Sequence, residues 1–203
     1  MNEKEIVLEQ LNTIESSLLD NEKFMPFNYK ILIMWGFISA ILILSFENIA
    51  KLYTVWYAIG YIVIVTTIGF LVEIYIIKKE NKKYDIKSFT KLQKFVESNY
   101  TFTIVFATAL TYVFISNNLA VYAYLSWIFM FGYADFVTGF VVNCKKFTTV
   151  GIINISASIA MVTITFIFGI QVIAPYIKYI AVLFLSGSLI YNGLTLKGIE
   201  KSV

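Results

Sequence analysis

Residues Lys78–Asn99 read KKENKKYDIKSFTKLQKFVESN and hold seven of the sixteen lysines in a chain of 203 residues. After the first thirty residues this is the only long polar run, and the segments on either side are apolar and long enough to cross a bilayer. Whichever face of a membrane takes this run fixes the face of every other segment.

Composition points the same way. The chain is 59% hydrophobic and 14% charged, with a mean hydropathy of +0.76, whereas soluble domains carry about 25% charged residues. The fold class expected is therefore an all-α integral membrane protein, a six-transmembrane-helix bundle. All sixteen positive charges are lysine, and histidine is absent. That removes the usual general base and commonest metal ligand, and also the usual bidentate partner of phosphate and carboxylate. A lone Cys144 forms no internal disulfide and assembles no thiolate metal site. Its neighbours Lys145 and Lys146 favour a thiolate or a lipid attachment, set against the plainer role of a small apolar residue at a helix end. The net charge of +3 implies no nucleic-acid partner. The N-terminus, MNEKEIVLEQ, lacks the basic region and apolar core of a signal peptide.

In order along the chain, residues 1–25 form a first unit, expected to be a cytoplasmic acidic amphipathic helix. Val7, Leu11, Ile14 and Leu18 recur at steps of four and three, which sets them on one stripe. The polar positions are acidic (Glu3, Glu5, Glu9, Glu15, Asp20, Glu22), the wrong sign for anionic lipid. The stripe suits a cytoplasmic protein partner or the chain's own membrane domain.

Residues 26–203 form the six-helix domain, with spans expected at 27–46, 53–77, 100–116, 119–142, 147–169 and 172–196. Pro26 suits a helix start, where its missing N–H is no loss. Within the lysine-rich segment 78–99, Ile86, Phe89, Leu92, Phe95 and Val96 recur at helical steps, which predicts a surface helix leading into the third span. Asn117-Asn118 makes a tight turn, Cys144-Lys145-Lys146 closes the fourth helix, and Ile170-Gln171 turns into the sixth.

Lysines set the orientation. With the N-terminus cytoplasmic, Lys4, Lys23, Lys30, the seven of the run, Lys145, Lys146, Lys197 and Lys201 all fall inside, which leaves Lys51 and Lys178 near the outer face. Both termini are then cytoplasmic, and the location expected is a bacterial cytoplasmic (inner) membrane. Tyr53, Trp56, Tyr57, Tyr122, Tyr124, Trp127, Tyr176 and Tyr179 fall towards outer helix ends, where such rings sit at headgroup level. Lys178 reads as an outward anchor rather than a buried amine.

Ionisable groups inside a bilayer are costly, which makes each a functional candidate. The spans hold two, Glu73 and Asp135. At ~1.5 Å rise per residue, Asp135 lies roughly 10 Å and Glu73 roughly 7 Å from the lysine-bearing face. Asn154 and Asn192 fall at matching depths. Gly69 and Glu73, Asp135 and Gly139, and Ser188 and Asn192 are each spaced so that the pair shares one helical face. The repeated small-plus-polar faces and short outer turns hint at three helical hairpins of similar build. Gly36 with Ala40 and Ser156 with Ala160 read as plain packing faces.

Two readings of the polar cluster follow. In the functional one, Asp135 with Glu73, Asn154 and Asn192 forms an ion or proton site. In the structural one, Asn154 and Asn192 simply satisfy the two carboxyls. An enzyme is the poorest fit, since no nucleophile has a base beside it in sequence and no metal-ligand set exists. No cofactor is implied. The favoured expectation is a small channel or transporter for cations or protons, acting alone or as a homo-oligomer. The alternative is an accessory or sensor subunit that engages a cytoplasmic protein through its N-terminal helix. In that reading Lys78, Lys79, Lys82 and Lys83 would contact the partner or anionic lipid.

Overall fold

The computed structural model describes residues 28–53, 55–83 and 91–200, and every regular element among them is helical. Helix α1 spans Tyr29–Leu52, α2 Val55–Lys83, α3 Lys91–Ser116, α4 Ala120–Val141 and α5 Lys145–Phe168. The last helix, α6, runs on through Ile177–Ala181, a π turn Val182–Ser186, and Gly187–Glu200. Six helices among the described residues are long and apolar enough to cross a membrane. The N-terminal stripe of Val7, Leu11, Ile14 and Leu18 lies outside the described residues, as do residues 84–90 of the lysine run.

Helix ends follow local chemistry. Asn28 caps α1 by accepting from the Lys30 N–H at 2.9 Å. Asn118 takes a left-handed φ of 60°, a conformation asparagine tolerates, in the turn between α3 and α4. The helix expected to lead into the third span is the start of α3, which begins at Lys91, while Ile86 and Phe89 of that pattern lie outside the described residues. Val96, Thr103 and Ala107 form one continuous buried face of that helix. Two expectations need correcting. Lys145 and Lys146 open α5 rather than close α4. Lysine opposes the dipole at a helix start, but at a membrane boundary its place is set by the water-facing end. The sixth helix begins at Ile177, later than residue 172, after a 3₁₀ turn Ile170–Val172 and Pro175. Proline has no N–H to donate and bars the residue before it from helical geometry.

The most extensive packing is α4 on α5 and α6 on α1, with α3 lying on α4 and α2 on α1. Of the three hairpins hinted at by the sequence, the first two pairs pack as such. The third does not, since α6 lies chiefly on α1. Close backbone approach explains that choice: a methyl on Gly36 would come within 2.6 Å of Ile190, and one on Gly193 within 2.7 Å of Ile33. At the α4–α5 crossing, a methyl on Gly132 would come within 2.7 Å of the Asn154 Cβ, and one on Gly151 would strike the backbone of α4. Small residues at such crossings let dispersion and interhelical hydrogen bonds hold membrane helices together.

Burial is uneven. Half of the α6 span is buried (50%) against 6% of the α2 span and 11% of the α3 span. The main apolar core joins Val121, Leu125, Ile128, Met161, Ile173, Ile177, Ala181 and Leu185, on α4, α5, α6 and the turn before α6. It fills the half of the bundle away from the lysine-bearing end. Each end is also closed by ionic contacts. Lys178 pairs with Glu47 at 3.4 Å and lies over the Tyr179 ring. At the opposite end Lys30 pairs with Glu80 at 3.0 Å, and Lys197 sits over the Tyr29 ring.

Candidate functional site

The buried polar groups gather on the lysine-bearing side of the main core. Asp135 on α4 is 1% exposed, Asn154 on α5 1% and Asn192 on α6 0%. At these values no water reaches them from outside, so each must be satisfied within the protein or bind something.

Asp135 is met from α3. The Tyr100 hydroxyl donates to its Oδ1. One residue earlier, the Asn99 amide donates to the Ala134 carbonyl at 3.2 Å and the Thr138 hydroxyl at 3.4 Å. Thr138 lies three residues beyond Asp135, on the same helical face, and also stands against the Tyr100 hydroxyl. Two consecutive residues of α3 thus clasp one turn of α4. A second contact nearer the far end, from Trp127 Nε1 to the Thr111 hydroxyl at 2.6 Å, keeps the two helices in register.

Asn154 is satisfied separately. Its amide donates to the Ser188 hydroxyl at 2.9 Å and to the Phe184 carbonyl at 3.2 Å, and Ser188 donates back to its Oδ1 at 3.2 Å. Phe184 belongs to the π turn, where i→i+5 spacing replaces the ordinary ladder. On the other side of that turn, Ser186 shares a 2.8 Å hydrogen bond with Ser39 of α1. The turn therefore serves as a polar joint between α1, α5 and α6.

Asn192 differs from its neighbours. It lies against the Asp135 carboxyl, yet neither its Nδ2 nor its Oδ1 meets hydrogen-bond geometry with any partner among the described residues. Thr103, one turn along α3 from Tyr100, is likewise fully buried with an unpartnered hydroxyl. A buried polar group without a partner costs about 1–3 kcal/mol. Three such atoms in this one region mark it as the least satisfied part of the interior.

Glu73 is elsewhere. It accepts from the Trp35 indole N–H at 2.8 Å, at the α1–α2 contact. Gly69, the small residue of its pair, makes room for that ring: a methyl there would lie 2.8 Å from the Trp35 Cη2. The structure thus brings Asp135 and Asn192 together, places Asn154 with Ser188 on the adjoining helices, and gives Glu73 its own partner on α1. Neither asparagine satisfies Glu73, and Asn154 does not satisfy Asp135. Lys78, Lys79 and Lys82 are exposed near the end of α2, where Lys83 is the last residue.

Sequence reading missed Tyr100, Asn99, Thr138 and Trp35. Thr138 was within reach, since its spacing from Asp135 puts both on one face. The partners on α1 and α3 depend on which helices touch, and periodicity carries no information on that. A scan against protein-family models gives no match for this chain, and neither the curated proteins nor the solved structures include one that matches it.

Proposed function

We propose that this chain is a small, non-enzymatic channel or transporter of a bacterial cytoplasmic membrane, handling cations or protons at Asp135, alone or as a homo-oligomer. The observation that carries the proposal is a fully buried carboxyl beside a fully buried amide with both polar atoms unpartnered. A cluster that only held helices together would be better served by leucine at residue 192, because an unsatisfied amide weakens packing. Intramembrane acids that face a bundle interior are typical of ion and proton paths. The distribution of lysines supports both termini being cytoplasmic.

Flux in proteoliposomes tests the function. Wild-type protein should move protons or a monovalent or divalent cation, and Asp135→Asn should reduce that flux at least tenfold while helicity and monodispersity are kept. Wild-type vesicles that move nothing across a broad ion panel would sink the proposal. Residues 1–25 would then be the bait for a cytoplasmic partner.

The single cysteine offers a direct check of orientation. Cys144 lies between α4 and α5 at the lysine-bearing end. A membrane-impermeant maleimide should label it in inverted vesicles and not in intact cells. Labelling from outside the cell would reverse the assignment.

A further inference from the structure

We infer that the site takes a proton rather than a metal ion, and that Asn192 turns its side-chain amide to match the protonation state of Asp135. This rests on the reading that Asp135 is where the protein handles its ion.

The inventory of free oxygens decides between the two ligands. One carboxylate oxygen of Asp135 accepts from Tyr100. The Thr138 hydroxyl is engaged by Asn99, and the Asn154 carbonyl oxygen by Ser188. Beyond the oxygen held by Tyr100, the site offers the second carboxylate oxygen of Asp135 and the unpartnered Asn192 Oδ1. Calcium takes about six to eight oxygens, and magnesium an octahedral set, so these two side-chain oxygens fall far short. No three His, Cys, Asp or Glu side chains come together among the described residues. A proton needs only one acceptor and a neighbour that tolerates both outcomes.

Asn192 is that neighbour. An ionised carboxylate only accepts hydrogen bonds, whereas a protonated one also donates. An amide has an oxygen to accept and a nitrogen to donate, and in Asn192 neither is committed. In the charged state Nδ2 turns to the carboxylate. When a proton from the aqueous phase adds to the Asp135 oxygen that Tyr100 does not hold, the new O–H donates to Oδ1. On release the proton returns to water and the amide turns back. From α3, Tyr100 is the titratable side chain that faces Asp135. No ionisable side chain of α5 or α6 is buried among the described residues, and Asn154, Ser158, Ser188 and Asn192 are all uncharged. The signal at this site is therefore one carboxyl changing state.

Infrared difference spectra of the reconstituted full chain, with ¹³C-labelled asparagine, test this directly. As pH falls, a protonated-carboxyl C=O band should grow in wild type and be missing in Asp135→Asn. A labelled amide C=O band should shift with the same midpoint, and should be missing in Asn192→Ser. Sodium, potassium, magnesium and calcium at fixed pH should move neither band. If Asn192→Ser does not fold, Asn192→Gln keeps the amide chemistry, and the metal-ion arm needs wild type alone. A carboxylate band that follows metal-ion concentration would overturn the proton assignment and leave cation handling intact. An amide band that stays still while Asp135 titrates would overturn the role of Asn192. If Asp135 responds to neither pH nor ions, both the inference and the function it rests on fall.

Discussion

Glu73 and Asp135 come from one local pattern, an acid four residues from a glycine near the lysine-bearing end of a long apolar helix, and they end in opposite circumstances. Around Glu73 the glycine makes room for Trp35, whose indole N–H occupies the carboxyl at 2.8 Å. The helix that carries it is the least buried of the six spans. Around Asp135 the partner is Tyr100, and beside it lies Asn192, whose two buried polar atoms make no hydrogen bond among the described residues. The first acid is spent on tethering a peripheral helix. The second sits where hydrogen-bonding capacity is left over. A carboxyl within a membrane span is thus a weak pointer to function by itself, and the unspent capacity beside it is what separates the two.

The contrast can be broken or sharpened by substitution. The largest effect should come from the frame that both acids depend on. Gly151→Leu would drive a side chain into the backbone of α4. Overpacking of this kind costs ~3 kcal/mol or more, and should appear as loss of a monodisperse species and a clearly lower midpoint in detergent unfolding. Full retention of stability would mean that α4 and α5 are not so closely apposed.

A smaller, paired effect bears on the acids themselves. Tyr100→Phe removes the donor to a fully buried carboxyl and should cost about 1–2 kcal/mol. Trp35→Phe removes the donor to a shallower one and should cost about 0.5–1 kcal/mol. Tyr100→Phe should also change ion flux, and Trp35→Phe should leave it near wild type. Equal losses in stability, or flux that falls with Trp35→Phe, would erase the distinction drawn between the two regions.

Much of the fold could be read from hydrophobic length and charge placement. Six apolar segments and the asparagine turn at residues 117–118 follow from bilayer thickness and from the few side chains that tolerate a left-handed φ. Helix starts were read less well. Pro175 delays α6, and α5 opens at Lys145, because these limits depend on capping and packing rather than on apolar content. At the site, depth alone grouped Glu73, Asp135, Asn154 and Asn192. Depth is one coordinate of three, and the other two depend on which helices touch. The glycines that decide this, Gly36 with Gly193 and Gly132 with Gly151, are visible in the chain, but their partners are not.

The π turn at Val182–Ser186 has a consequence for how α6 tolerates change. One helical residue accounts for about 100° of rotation, so such a turn works as a phase shifter between two halves of one rod. The outer half is keyed to Leu125 and Ile128, and the inner half is keyed to α1 through Gly193. Neither half can slip to suit the other, because the offset between them is fixed in the chain's own length. Removal of a single residue here would leave the hydropathy of the span almost untouched. It would let the turn close to ordinary i→i+4 spacing, and the Phe184 carbonyl and the Ser186 hydroxyl would lose their settings against Asn154 and Ser39, an error to which a reading based on composition alone is blind.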